Sequence, residues 1–269
     1  MTKKNTFILL FVLLIGLSLL LYPSVSNYWN SLHQSKLIAG YVEAVNKIDP
    51  AESQRLIDAA QAYNQRISQH PMVAITDEER VEYQQHLNIS GDGIMGYIRI
   101  PSINCTLPIY HGTSKSVLQV AVGHLEGSSL PVGGAGSHCV LSGHRGLPNS
   151  RLFTNLDQMV IGDTFSLVVL DRELFYEVDQ ILIVDPEDVN ELTFEAGEDY
   201  CTLVTCTPYG VNSHRLLVRG RRVEGVTEST LHISADGTRI DNLLVAAVAS
   251  IPVVLGLLIY LIIRACRRR

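Results

Sequence analysis

Two long uncharged apolar runs, one near each end of the chain, frame a middle section in which apolar and polar residues alternate in short blocks. The first run, residues 7–22 (FILLFVLLIGLSLLLY), follows Lys3 and Lys4 and is closed by Pro23. The second, residues 243–263 (LLVAAVASIPVVLGLLIYLII), is closed by Arg264, Arg267, Arg268 and Arg269. About 20 apolar residues cross the hydrocarbon layer of a bilayer, so the second run is long enough outright and the first lies at the short limit. Positive charge sits on the chain-terminal side of both, which places both termini in the cytoplasm and the stretch between them outside. A cleaved signal peptide competes for the first run, with Ser24-Val25-Ser26 as a small-x-small site. Tyr22, Tyr28 and Trp29 favour an uncleaved anchor, because aromatic rings collect at the membrane interface. A buried core helix competes for the second run, and the basic cluster at its end argues against it.

Between 23 and 89 the spacing is helical. Tyr28, Leu32, Leu37, Tyr41, Val42 and Val45 recur at roughly helical spacing, with Trp29 adjoining and polar residues between them. Asp49-Pro50-Ala51-Glu52 predicts a fresh start: an Asp cap, Pro at the first helical position, and Glu three residues after the cap to complete a capping box. That helix runs to about Ile67, with Leu56, Ala59, Ala60, Tyr63 and Ile67 as its buried stripe, and stops at His70-Pro71. In the segment 72–89, Thr76 is placed to cap a short acidic helix.

At Ser90-Gly91-Asp92-Gly93 the pattern changes to short β-rich runs split by Gly, Pro, Asn and Asp. Strands are expected over 94–100, 105–110, 138–142, 164–170, 174–184, 201–205 and 215–219, with a hairpin turn at 170–173 and a short helix at 152–159. The expected fold is mainly β: a small closed barrel with short helices, preceded by a helical region and flanked by two transmembrane helices. Closure removes the sheet edges that would otherwise invite aggregation. The chain divides into a cytoplasmic start and anchor (1–22), an external helical region (23–89), the barrel (90–225), a polar linker (226–241) and a second anchor with a basic tail (242–269).

With 46% hydrophobic and 18% charged residues among 269, the chain is not of disordered composition. The two ends carry six of its 21 basic residues and none of its 27 acidic ones, leaving 15 against 27 between them, a net of −12. An acidic middle section gives no footing for nucleic acid. Of the five cysteines, Cys266 falls on the cytoplasmic side and is a candidate for lipidation. Cys105, Cys139, Cys201 and Cys206 face an oxidising exterior without the dense spacing of a disulfide scaffold. His138, Cys139, His144, Cys201 and Cys206 contain no Cys-x2-Cys or His-x3-His pair, so neither a metal nor another cofactor is expected. Cys139 precedes His144 by five residues and Cys201 precedes Cys206 by five, so the two thiols are neighbours if their strands are. Two separate thiols are expected there, since disulfide geometry is demanding.

Three segments place a reactive residue where a strand gives way to a loop, or a loop to a strand: His144 in Leu-Ser-Gly-His-Arg-Gly, Cys206 in Thr-Leu-Val-Thr-Cys-Thr-Pro-Tyr-Gly, and Arg215 in Asn-Ser-His-Arg-Leu-Leu. A thiolate is a strong nucleophile that needs electropositive surroundings or a base. An imidazole supplies either and can later protonate a leaving amine. A guanidinium never loses its proton and serves as a fixed donor to a developing oxyanion. The set is suited to acyl transfer, although each residue taken singly has a structural reading: a buried Cys, a turn His, a surface Arg.

The run 91–223 resembles the sortases, membrane-anchored cysteine transpeptidases of Gram-positive bacteria, and within them the pilus-assembling class C. The resemblance rests on these three segments together with Pro108-Ile-Tyr-His-Gly-Thr113, all in the family's order, and the second terminal span favours class C. It implies that Cys206 is the nucleophile, His144 the general acid and Arg215 the oxyanion or peptide-binding residue. The implied reaction cleaves an LPXTG-like sorting signal between Thr and Gly through a thioester. A pilin lysine amine then resolves the thioester, or, in a wall-anchoring sortase, an amine of a peptidoglycan precursor. A membrane-tethered binding module without activity and a cysteine protease remain as alternatives. Class C sortases commonly carry an Asp-Pro-aromatic lid over the active site, but here the corresponding stretch reads His70-Pro71-Met72-Val73-Ala74-Ile75-Thr76-Asp77, and Asp49-Pro50 reads as a helix start. Cys206 is therefore expected to be more accessible than in lidded relatives.

Overall fold

The computed structural model describes residues 3–72 and 75–224, with Gly256 and Tyr260. Within residues 3–72 and 75–224, four helices, α1 (Lys3–Val45), α2 (Pro50–Ile67), α3 (Asp77–Tyr83) and α4 (Lys115–Leu118), accompany eight strands. These are β1 (Ile94–Ile100), β2 (Cys105–His111), β3 (Val122–His124), β4 (Ser137–Ser142), β5 (Thr164–Val169), β6 (Arg172–Val184), β7 (Asp199–Thr207) and β8 (His214–Val223). They close into a barrel in the order β1-β2-β3-β4-β7-β8-β6-β5, with β2/β3 and β4/β7 parallel and the other pairs antiparallel. All seven expected strands are present. The short β3, three residues between two loops, carries too little alternation to be legible in the sequence. The expected helix at 152–159 contracts to a 3-10 turn, Leu156–Gln158.

The first correction concerns the helical region. The sequence reading ends the anchor at 22 and begins a separate region at 23, but α1 is one 43-residue helix that carries Pro23 inside it. Among the described residues it is the one helix long and apolar enough to cross a membrane, and none of its apolar window is buried. The predicted second span at 243–263 and the linker at 226–241 lie outside the described residues, except that Gly256 and Tyr260 are helical.

Helix α2 starts as expected: the Asp49 side chain accepts from the Glu52 amide and Pro50 occupies the first turn. The reciprocal capping box forms instead at Thr76 and Glu79, opening α3. The stripe on α2 is rotated by about one residue from expectation, with Ile57, Ala60, Tyr63 and Ile67 buried, Leu56 half-buried and Ala59 exposed. Those four residues, with Tyr83 and Leu87, join the barrel's main core. Fully burying one such apolar side chain stabilises by about 1.5–3 kcal/mol, so the helical region is part of the core and not an appendage. Polar contacts fix it further. The Asn64 side chain donates to the Leu130 carbonyl and accepts from its amide. The Tyr83 hydroxyl accepts from the Gly112 amide and lies 3.0 Å from His124 Nδ1. Since His124 Nε2 faces the Ser129 carbonyl at 2.8 Å, it carries the ring proton, and Nδ1 accepts from Tyr83.

Candidate active site

Side-chain alternation decides what each strand offers. On β4 and β7, Cys139, Leu141, Cys201 and Leu203 point into the core. Their neighbours Val140, Val204 and Cys206 therefore point outward, since successive side chains take opposite faces. Register brings the outward residues of three strands together: Cys206 opposes Arg215, Val204 opposes Leu217, and Ser142 of β4 opposes Val204. Just beyond Ser142 lies His144. The structure thus gathers all three sequence-predicted residues at one end of the barrel, and each is half-buried.

The backbone around His144 is held tightly. Gly143 donates to the Val204 carbonyl at 3.0 Å and accepts from Thr205 Oγ1 at 2.8 Å, so the residue before His144 is bound to the two before Cys206. The His144 carbonyl accepts from the Phe153 amide at 3.1 Å. A side chain at 143 would come within 2.7 Å of the Phe153 ring, which is why glycine stands there. Opposite, Arg215 Nη1 donates to the carbonyls of Asn212 and His214 at 3.4 and 3.1 Å. Among the described residues its Nε and Nη2 make no protein hydrogen bond, which leaves that edge of the fork for a ligand.

Arg145 was not singled out in the sequence, although it sits in the His144 motif. Its side chain is only 8% exposed, ion-pairs through Nη2 with Asp157, and donates from Nη1 to Thr207 Oγ1 at 3.4 Å. Its guanidinium also lies 5.7 Å from the centre of the Tyr209 ring. One buried cation thereby links the residue after His144 to the residue after Cys206. The signal available was chemical: a charge that can be buried only if paired.

Beside Cys206 the outer face carries an apolar cluster. Val140, Val204, Leu182 and Leu217 on the strands meet Leu192 and Phe194 from the β6–β7 connection. That connection is tied down by His138, whose Nδ1 faces the Thr193 carbonyl at 2.7 Å and whose Nε2 lies 2.7 Å from Thr202 Oγ1. A carbonyl only accepts, so Nδ1 carries the proton, and burial holds the ring below the usual histidine pKa. Met72, 8% exposed, packs in the same cluster.

The inward cysteines form a contrasting pair. Cys139 and Cys201 oppose each other in the parallel register, and both are free thiols. Burial, reinforced by the Cys139 thiol, pushes Cys201 well above its ordinary pKa, so it stays protonated. Among the described residues no cluster suited to a metal ion occurs.

The Sortase domain family model matches residues 98–223. Among curated relatives, sortase A of Bacillus anthracis is 31% identical over 128 residues, covering 47% of this chain and 59% of the relative, so the chain spans less than two thirds of that relative's length. Among solved structures, sortase C1 of Streptococcus agalactiae has a TM-score of 0.70 at 49% identity, over 71% of this chain and 100% of that one. Sortase C of Streptococcus pneumoniae has a TM-score of 0.64 at 46% identity, over 70% and 96%.

Proposed function

The chain belongs to the sortase family, and from that premise we propose that it is a membrane-anchored class C sortase, a cysteine transpeptidase that joins pilin subunits. The observation that carries this reading is the cross-strand pair Cys206 and Arg215 beside the His144 loop, next to an outer apolar cluster. The solved relatives include a sortase C whose description names pilin substrate specificity.

In the proposed reaction the Cys206 thiolate attacks the Thr carbonyl of an LPXTG-like signal. Arg215 donates to the oxyanion of the tetrahedral intermediate, where a preorganised donor in a desolvated site is worth most. The Thr–Gly bond breaks, the electron pair goes to nitrogen, and protonated His144 delivers its proton to the departing amine. A thioester remains on Cys206. A neutral lysine amine of the next subunit then attacks it, its proton passes to His144, and the thiolate leaves as the isopeptide bond forms. The apolar cluster beside Cys206 receives the apolar residues of the signal once Met72 withdraws from it, and the fit excludes the water that would hydrolyse the thioester.

The anchors belong to the same reading: α1 spans the membrane, the run 243–263 supplies a second span, and the catalytic domain faces outward. Pilins and surface proteins bearing the signal, an acceptor lysine and the membrane are its partners. A sortase that attaches proteins to a peptidoglycan precursor is the rival. Supplying full-length enzyme with a sorting-signal protein, a pilin and a peptidoglycan-like amine separates the two. Pilin–pilin isopeptide product is expected, and exclusive transfer to the peptidoglycan amine would overturn the pilus assignment.

A further inference from the structure

Three side chains of α1 just beyond the apolar run bind the loop that follows His144 and its neighbour. Asn27 Oδ1 accepts from the Arg151 amide at 3.0 Å, Asn30 Nδ2 donates to the Asn149 carbonyl at 2.6 Å, and Gln34 Nε2 donates to the Val120 carbonyl at 2.8 Å. Further along the helix, the Tyr41 hydroxyl donates to the Met95 carbonyl and accepts from the Leu170 amide. Leu170 lies in the β5–β6 turn, at the opposite end of the barrel, because β6 reaches the level of Arg215 only at Val184. Helix α1 therefore runs along the barrel wall from the catalytic end to the distal end, and its apolar segment leaves from the catalytic end.

The height follows from helix geometry. Asn27 is five residues past Tyr22, about 7–8 Å of helix at 1.5 Å per residue, so the loop carrying Asn149 lies within about 10 Å of the apolar run. At about 100° per residue, Asn27, Asn30 and Gln34 share one face, while Val25, Tyr28 and Trp29 occupy the opposite one. These last three are 64%, 64% and 73% exposed. At the same end of the barrel, Tyr209 and Val211 on the β7–β8 loop are 61% and 70% exposed. Tyr209 belongs to this end because its ring packs against Gly146, within 3.1 Å of where a Cβ would stand.

We propose that the catalytic end of the barrel rests on the lipid surface, with the β7–β8 loop tip and the free face of α1 in the headgroup layer. The proposal rests on the membrane-anchored reading of α1. Its occupant is the bilayer itself, because the exposed aromatic face continues an apolar helix and Tyr209 and Val211 sit at the barrel end from which that helix leaves. Aromatic rings at that depth are stabilised by their amphipathic character. The active site then meets peptides where they emerge from the membrane, and the distal end, with the β5–β6 turn, faces away.

Trp29 is the chain's one tryptophan, which makes the test direct. Full-length protein is reconstituted in phosphatidylcholine vesicles with or without bromine near the carbonyl end of the acyl chains. Wild type reports Trp29; in a Trp29→Phe background, Val211→Trp reports the catalytic end and Ala196→Trp the distal end. Ala196 is exposed and lies three residues before Asp199, where β7 starts, at the other end of that strand from Cys206. Emission of Trp29 and of Val211→Trp should fall at least twofold in brominated vesicles, with Ala196→Trp unchanged. If Trp29 is quenched while Val211→Trp and Ala196→Trp behave alike, the orientation is wrong and the anchor stands. If Trp29 is not quenched, both fail. Emission that follows the protein-to-lipid ratio but not bromination would assign the apolar face to a second copy of the chain, and would overturn the proposal.

Discussion

Cys201 and Cys206 lie on the same strand, five residues apart, and the odd interval puts them on opposite faces of the barrel. Cys201 is fully buried against Cys139 and held protonated; it packs as a small hydrophobe. Cys206 is half-buried, opposite Arg215, with the His144 loop bonded to the two residues before it. The same residue type on one strand thus has a structural role at one position and the means for chemistry at the other. Strand parity and register account for the difference.

The largest expected effect separates the two thiols. Cys206→Ala should lower transpeptidation by at least about 1,000-fold with the melting temperature nearly unchanged, as read by peptide turnover and thermal denaturation. Cys201→Ala should do the reverse, keeping turnover within a few-fold while losing about 1 kcal/mol of stability through the small cavity it leaves. Loss of turnover in both variants would erase the distinction.

The next effect concerns the link between the two catalytic loops. Arg145→Ala removes the cation that ties them through Asp157 and Thr207, and displacing a reacting group by about 1 Å costs on the order of 100-fold. We expect kcat to fall by about 10- to 100-fold with KM changed little, and Arg145→Lys to restore part of it. A rise in KM alone would place Arg145 in peptide binding instead.

Met72 offers a smaller effect. Withdrawing its side chain from the apolar cluster costs about 1.5–3 kcal/mol, and alanine still buries part of that surface, so Met72→Ala should lower KM for a sorting peptide by up to about tenfold with kcat nearly constant. An unchanged KM would mean that the peptide does not displace Met72.

The smallest effect is in pH. His138 is held below its ordinary pKa by burial, so the unfolded chain binds the proton more readily than the native one. The stability tied to its neutral form is present above about pH 6.5 and is lost as pH falls through and below that value. The melting temperature of the wild type should drop between pH 7 and pH 5, and His138→Asn should flatten the drop. An identical slope in both would remove His138 from the account.

Much of the barrel was legible because alternation and turn residues mark strands wherever one face is buried. Cap residues likewise fixed the start of α2 at Asp49 and Pro50. What escaped lacked a local signal. The stretch β3 is too short to alternate, and Pro23 lies inside a helix that continues to Val45. How the helical region packs escaped too, because Tyr63 and Tyr83 find their burial only in the core they share with strands far along the chain. At the site, motif and resemblance named Cys206, His144 and Arg215. Arg145 and Met72 became visible only with register and packing, the first as a buried charge and the second as part of an apolar cluster assembled from four strands. The missing lid motif likewise gave no sign that Met72 packs with Val140, Leu192 and Leu217.

The most direct measurement is the mass of the intact enzyme, with peptide mapping, after incubation with an LPXTG-containing peptide and no amine acceptor. The account predicts a single acyl adduct on Cys206, retained in Cys201→Ala, absent in Cys206→Ala, and discharged when a lysine amine is added. An adduct on Cys105, Cys139 or Cys201, or continued turnover by Cys206→Ala, would contradict it.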